Sequence, residues 1–157
     1  MFRVPRSAFS LSYEICVALA CFLVAMQIAR YDKPMTASIH VGTSGYSFKD
    51  WLGAVYPAKM KAGEFLSYYA KMFDCVEINS TYYRVPSPSM FEGMLNKVPL
   101  DFTFIVKVPK EMTHDREKFA SVLSPFITGI ASLIDAGQLG GLLAQFPYSF
   151  KATSEGS

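Results

Sequence analysis

The sequence contains few of the residues on which disulfide and metal sites are built. Its three cysteines, Cys16, Cys21 and Cys75, include no CxxC pair, which argues against a disulfide framework and against the usual zinc spacings. It has only two histidines, His40 and His114, so a catalytic metal held by three protein ligands would have to be carboxylate-rich. No such ligand set is visible, and the sequence therefore predicts no metal site and indicates no particular cofactor.

The chain also lacks an excess of basic charge in its main part. Charged residues make up 18% of the sequence and hydrophobic residues 51%, which favours a folded domain with a core. The net charge of +2 comes from residues 1–34, because residues 35–157 hold eleven basic and eleven acidic side chains. A nucleic-acid-binding domain usually carries a basic patch. A nucleic acid or a small phosphorylated ligand as partner is therefore unsupported by the overall charge.

A long apolar run occurs once, in residues 7–29, where Glu14 is the single charged residue. Three interpretations compete: a membrane anchor, a signal peptide, or an artefact of a gene model whose true start is Met35. We expect a cytoplasmic protein, with membrane anchoring through residues 7–29 as the alternative. The predicted organisation is an apolar, helical N-terminal extension over 1–34, a domain over 35–150 and a polar tail over 151–157.

After residue 34 the pattern predicts strands that alternate with helices. Helix caps are indicated by Ser87-Pro88, by Ser124-Pro125 and by Gly137, and Ser89 with Glu92 has capping-box spacing. Residues 109–118 read as a polar loop. The predicted strands are 39–43, 75–79, 102–108 and 142–146, and the predicted helices are 62–73, 88–98 and 125–136.

This βαβαβαβ order predicts a parallel α/β sheet, since strands joined by helices run in the same direction. The strands alternate polar and apolar residues, whereas the strands of a doubly wound sheet are apolar on both faces. We therefore expect a partial TIM-barrel-like (βα)3β sheet, about half of the eight βα units of a whole barrel. Its open edges would favour self-association.

Polar side chains stand where the predicted strands end, at the edge where parallel sheets bind ligands. Glu77 and Asn79 are two residues apart, so they share one face of their strand while Val76 and Ile78 face the other way. The predicted catalytic residues are Glu77, Lys107 and His114, and the predicted substrate-binding residues are Ser44, Tyr46, Asn79, Tyr82 and Gln145.

Each charged candidate has a structural alternative. Glu77 is a candidate general base or metal ligand, and Lys107 a candidate anion contact or base. The alternative for both is a buried Glu77–Lys107 ion pair that only orients the strands. His114 is a candidate acid–base group, and the alternative is a solvated loop histidine.

Several segments resemble the domain of unknown function 72 (YecE-like) family, above all EINSTYY at 77–83 and QFPYSF at 145–150. The resemblance implies a TIM barrel without an established reaction, whose shape has drawn comparison with metal-dependent nucleases. It also implies that the eight candidate residues lie on a pocket rim, with Tyr46 where tryptophan is more usual. The family continues with an acidic-Phe-Arg-His segment and a later arginine segment, which are absent here.

Three functional hypotheses follow. The favoured one is a truncated barrel with a polar pocket at the strand ends and no complete active site. The second is a hydrolase-like barrel acting on a phosphorylated, sugar or nucleic-acid substrate. The third is a membrane-tethered binding module. Whether this chain is an enzyme stays open, because the resemblance implies that half of the expected barrel is missing.

Overall fold

The computed structural model describes residues 39–150. The predicted apolar helix at 7–29, the predicted boundary at residue 34 and the predicted tail at 151–157 all lie outside the described residues. No helix within 39–150 has both the length and the apolar character needed to span a bilayer.

The described chain alternates strands and helices as predicted. Four strands form one sheet in the order β1-β2-β3-β4, and all neighbouring pairs are parallel. Short 3-10 helices occur at Lys49–Trp51, Ala62–Glu64, Ser80–Tyr82 and Arg116–Lys118. The strands and α-helices are, in chain order, β1 Gly42–Ser44, α1 Phe65–Tyr69, β2 Cys75–Ile78, α2 Pro88–Leu95, β3 Thr103–Lys107, α3 Lys110–Thr113, α4 Phe119–Asp135 and β4 Leu139–Leu143.

The outer strands are displaced from their predicted positions. β1 begins at Gly42 rather than at residue 39, because Asp74 Oδ1 accepts a hydrogen bond of 2.6 Å from the Val41 amide in place of a ladder partner. β4 begins at Leu139 rather than at residue 142, and it includes Gly140, where a Cβ would overlap the methyl group of Thr103. Glycine at position 140 therefore allows β4 to approach β3 closely.

The start of α4 was wrongly predicted at Ser124-Pro125. The helix begins at Phe119, so Pro125 lies inside it, and the predicted loop 109–118 contains α3. A proline within a helix costs about 3 kcal/mol. Burial offsets this cost, since Phe119 is almost fully buried and Phe126 is completely so. The predicted stop is correct: Gly137 has a φ of 67° and its amide donates to the Ile134 carbonyl.

The first turn of α2 matches the prediction in part. Ser87 is the N-cap residue and Pro88 is the first helical residue, as predicted. The predicted capping box of Ser89 and Glu92 does not form, because Ser89 lies inside the helix; the N-cap residue is Ser87, whose hydroxyl lies 3.0 Å from the Ser89 hydroxyl and caps no backbone amide. Proline at the first helical position, which fixes φ and needs no hydrogen-bond acceptor, therefore marks this helix start.

The two faces of the sheet differ in polarity and burial. On β3, Phe104 and Val106 are fully buried, while Ile105 and Lys107 are partly exposed, which confirms the predicted alternation. The Phe91 ring of α2 meets Phe104 edge-to-face with centroids 6.4 Å apart, so the buried face packs on helices. On the opposite face, Glu77, Ile105 and Lys107 are partly exposed and Cys75 is buried.

The hydroxyl of Tyr69 connects β1 to β2. This fully buried phenol accepts a hydrogen bond of 2.7 Å from the Thr43 amide and donates one of 3.0 Å to the Cys75 carbonyl. Burial raises the pKa of Tyr69, so the phenol keeps the proton that it donates. One side chain of α1 therefore fixes how the two strands lie beside each other.

Close packing of β1 on β2 also depends on Gly42, and we predict that Gly42→Ala destabilises the domain. A Cβ at this position would overlap the carbonyl oxygen of Cys75, a backbone atom that cannot move away easily. We expect the free energy of unfolding to fall by about 1–3 kcal/mol, measured by urea denaturation followed by circular dichroism.

The matched control is Gly93→Ala in α2, where a Cβ meets nothing within 4 Å. Alanine has a higher helix propensity than glycine, so the free energy of unfolding of this variant should rise by about 0.5–1 kcal/mol. Equal effects of the two substitutions would show that the close contact at Gly42 is unimportant.

Candidate functional site

The carboxyl ends of the four parallel strands deliver polar side chains to one edge of the sheet. Ser44 is the last residue of β1, Glu77 the penultimate residue of β2 and Lys107 the last residue of β3. Gln145 follows the end of β4 by two residues. Parallel sheets place binding residues at this edge, and the predicted candidates form two hydrogen-bonded clusters there.

The first cluster consists of Ser44, Glu77 and Asn79. Ser44 pairs with Glu77 in the sheet register, and its hydroxyl donates a hydrogen bond of 2.8 Å to Glu77 Oε1. The Asn79 amide donates one of 2.6 Å to Ser44 Oγ. Ser44 thus bridges the carboxylate and the carboxamide. Among residues 39–150, Glu77 Oε2 accepts no hydrogen bond, which leaves it available to a ligand hydroxyl.

The second cluster is built around Lys107. Its ammonium donates a hydrogen bond of 2.8 Å to Gln145 Oε1 and lies 4.8 Å from the centre of the Tyr82 ring. Both partners are neutral, although the aromatic face does attract a cation. The Lys107 backbone is also fixed, because the fully buried Thr81 hydroxyl donates to the Lys107 carbonyl.

The predicted alternative of a Glu77–Lys107 ion pair is wrong. In the described part of the chain, no carboxylate lies within 4 Å of the Lys107 ammonium. Glu77 is hydrogen-bonded to Ser44 and Lys107 to Gln145, and both charged side chains are partly exposed. Their charges are therefore compensated by solvent rather than by each other.

His114 belongs to the second cluster through Tyr82. Its Nδ1 lies 3.4 Å from the Tyr82 hydroxyl and 2.8 Å from the hydroxyl of Thr113, and the two rings meet edge-to-face. The side chain is exposed at the end of α3. It has no contact with Glu77, so the three predicted catalytic residues are divided between the two clusters.

A cavity of about 370 Å³ lies beside the first cluster. Its lining contains both polar and apolar side chains, which we call the polar wall and the apolar wall by their chemistry. Tyr46, a predicted binding residue, lines it, but Phe48 and Met94 were not predicted. The residues that define the two walls are Ser44, Glu77 and Asn79 on the polar side and Tyr46, Phe48 and Met94 on the apolar side.

Phe48 is held in place although its side chain is 42% exposed. Gly45 has a φ of 97°, and its missing side chain makes room for the Phe48 ring, which a Cβ there would approach to 3.0 Å. The Trp51 ring lies 5.0 Å from the Phe48 ring on another side. The role of Gly45 in seating Phe48 depends on contacts that residue spacing does not reveal.

The described residues offer no evident metal centre. Within residues 39–150, no three side chains of the His, Cys, Asp and Glu types converge at a distance suitable for holding an ion. Asp115, which follows His114, is engaged by the Lys118 ammonium at 2.9 Å.

Comparison with known protein families assigns the chain to one of them. The family model described as "Protein of unknown function DUF72" matches residues 40–157. The chain belongs to the DUF72 family. This confirms the family inferred from the EINSTYY and QFPYSF segments, since both lie within the matched range.

Relatives in this family are about twice as long as the matched part. The chain is 26% identical to UPF0759 protein YunF of Bacillus subtilis, over 74% of this chain and 43% of the relative. It is 26% identical to UPF0759 protein YecE of Escherichia coli, over 71% of this chain and 39% of the relative. The chain thus spans less than half the length of these curated relatives.

Solved DUF72 structures share the fold of the described sheet. A crystal structure of a DUF72 family protein from Thermotoga maritima matches with a TM-score of 0.65 and 44% identity, over 75% of this chain and 48% of that one. One from Enterococcus faecalis matches with a TM-score of 0.61 and 26% identity, over 75% and 43%. The α/β architecture with a parallel sheet is therefore common to these proteins.

The division into two clusters leads to a prediction on energetic coupling. Ser44→Ala and Asn79→Ala remove the two ends of one hydrogen bond, so a double-mutant cycle should give a coupling of at least about 0.5 kcal/mol in the free energy of unfolding. Urea denaturation of the wild type, the two single variants and the double variant measures this coupling.

The control cycle combines Ser44→Ala with Gln145→Ala, whose side chains belong to different clusters. Their effects should add within about 0.3 kcal/mol. A control coupling as large as that of the Ser44–Asn79 pair would contradict the division.

Proposed function

We propose that residues 39–150 form part of a TIM-barrel-like domain whose strand ends bind a small ligand with an anionic group. The alternating polar and apolar faces, the parallel order and the helical crossovers all support this architecture. The observation that carries the binding role is the Lys107 ammonium, held at the strand ends by Gln145 and Tyr82 and by no carboxylate of the described residues.

Lys107 is suited to an anion because its two contacts orient the ammonium without neutralising it. A lysine acts on phosphate as a compact point charge with three donors. One donor is used by Gln145 Oε1, so further donors remain for a ligand. The Gln145 amide can then donate its own N–H groups to the same anion. Phosphate fits this arrangement better than a neutral group does.

Binding, rather than complete catalysis, is the role that these residues support. Hydrolysis of a glycosidic bond uses a pair of carboxyl groups, and Glu77 is the one carboxylate among the strand-end residues described above. A hydrolase acting on a phosphorylated, sugar or nucleic-acid substrate is the alternative. It would need Glu77 as general base and an acid from elsewhere, because His114 lies in the Lys107 cluster.

We predict that Lys107→Met weakens the binding of inorganic phosphate by at least about tenfold, the loss expected for a hydrogen bond to a charged group. Titration of phosphate into the labelled chain, followed by amide chemical shifts, measures the affinity. Lys107→Arg should retain most of it, because the charge is kept.

Lys97→Met is the matched control, since the Lys97 ammonium also donates to one neutral oxygen, the carbonyl of Gly63, at 3.1 Å. It should leave phosphate affinity unchanged. Equal affinity of the wild-type and Lys107→Met proteins would refute the proposed function.

We also propose that a second copy of the chain pairs with an open sheet edge. Among the described strands, β1 pairs with β2 alone and β4 with β3 alone, and unpaired strand edges favour association.

Gly141→Lys tests this self-association, because a side chain there meets nothing within 4 Å and places a charge on β4. We expect a dimer in sedimentation velocity and at least about tenfold weaker dimerisation in this variant. Gly63→Lys, at an equally open position, is the control. A monomer at every concentration would contradict the proposal.

A further inference from the structure

We infer that the cavity beside Glu77 takes the ring of a monosaccharide phosphate, with ring hydroxyls on Glu77 and Asn79 and one ring face against Phe48. This inference rests on the proposed function, because the phosphate is assigned to Lys107. It adds the class of ligand and the residues that distinguish it from other phosphates.

The two clusters lie at the ends of neighbouring strands, β2 and β3. Ile78 pairs with Val106 in the sheet register, Lys107 is the next and last residue of β3, and Asn79 follows directly after the end of β2. Asn79 also lines the cavity. We therefore place the ring of the ligand in the cavity and its phosphate at Lys107, across the ends of the two strands.

The polar wall has the hydrogen-bonding groups that hydroxyls require. Ser44 Oγ accepts a hydrogen bond from the Asn79 amide and donates one to Glu77 Oε1. Glu77 Oε2 then remains as an acceptor, and Asn79 keeps its Oδ1 and a second N–H. Neighbouring ring hydroxyls both donate and accept, so a carboxylate beside a carboxamide satisfies them.

Charge separates the two ends of the ligand. Glu77 repels an anion, whereas Lys107 attracts one, and no ion pair between them cancels either charge. A phosphate is therefore directed to Lys107 and uncharged hydroxyls to Glu77. A ligand with two phosphates or a ligand without any is disfavoured by this arrangement.

The apolar wall provides a flat surface for the carbon face of a sugar ring. Phe48 stays 42% exposed while Gly45 and Trp51 fix its position. An aromatic ring exposed to water in a fixed position is unfavourable in free energy, and a ligand that stacks on the ring would remove this apolar surface from water. Tyr46 and Met94 extend the same wall.

The size of the cavity matches a single ring. Its volume of about 370 Å³ is near the lower end of the roughly 300–1,000 Å³ of small-molecule sites. Such a space suits a monosaccharide better than an oligosaccharide.

The test compares four probes on the full chain by calorimetry and amide chemical shifts: inorganic phosphate, glycerol 3-phosphate, ribose 5-phosphate and glucose 6-phosphate. At least one of the two sugar phosphates should bind at least about tenfold more tightly than inorganic phosphate and glycerol 3-phosphate. Phe48→Leu and Glu77→Gln should each remove most of this gain, measured against inorganic phosphate for the same variant, and Glu77→Gln should not weaken the binding of inorganic phosphate, because the carboxylate repels an anion. Lys107→Met should weaken all four probes.

Tyr148→Ala is the control for loss of an exposed aromatic ring, since Tyr148 is fully exposed and does not line the cavity. Circular dichroism verifies that each variant is folded. If neither sugar phosphate binds more tightly than inorganic phosphate, or if Phe48→Leu and Glu77→Gln leave the gain intact, the inference is overturned while the proposed function stands. If no probe binds, both are overturned.

Discussion

The hydroxyl of Tyr69 is the contact on which the arrangement of the strand ends depends. β1 has only three residues, so few ladder hydrogen bonds hold it to β2. Tyr69 adds a bridge from the Thr43 amide to the Cys75 carbonyl, and Gly42 lets the two backbones approach. This register sets Ser44 beside Glu77. A displacement of one residue would turn Ser44 to the other face of the sheet and separate it from the carboxylate.

Strand periodicity predicted those features that depend on backbone geometry alone. The alternation of Phe104, Ile105 and Val106 indicates which side faces the helices, and the buried residues confirm it. Glu77 and Asn79 were predicted to share a strand face; β2 ends at Ile78, so Asn79 lies beyond the strand, yet both side chains contact Ser44. Parallel order then gathers the strand ends, since crossover helices return each strand to the same side.

Features that depend on the choice between distant partners were not predictable from the sequence. Glu77 and Lys107 have opposite charges on neighbouring strands, yet each bonds to neutral groups. A half-exposed ion pair gains little over solvated charges, so small differences in geometry decide the outcome. Phe48 lines the cavity through its packing on Gly45 and Trp51, which no periodicity encodes. Pro125 lies within α4 because burial of the helix outweighs a local preference.

The contacts of Lys107 have a consequence for the solution around the protein. The Lys107 ammonium has no carboxylate partner among the described residues, so its positive potential attracts mobile anions from the solution. Under the proposed function, the N–H donors that Gln145 leaves free give those anions a preferred position rather than a diffuse atmosphere. Sulfate or phosphate from a buffer would compete there with any biological ligand. The buffer anion would therefore change the apparent affinity of this protein for its ligand.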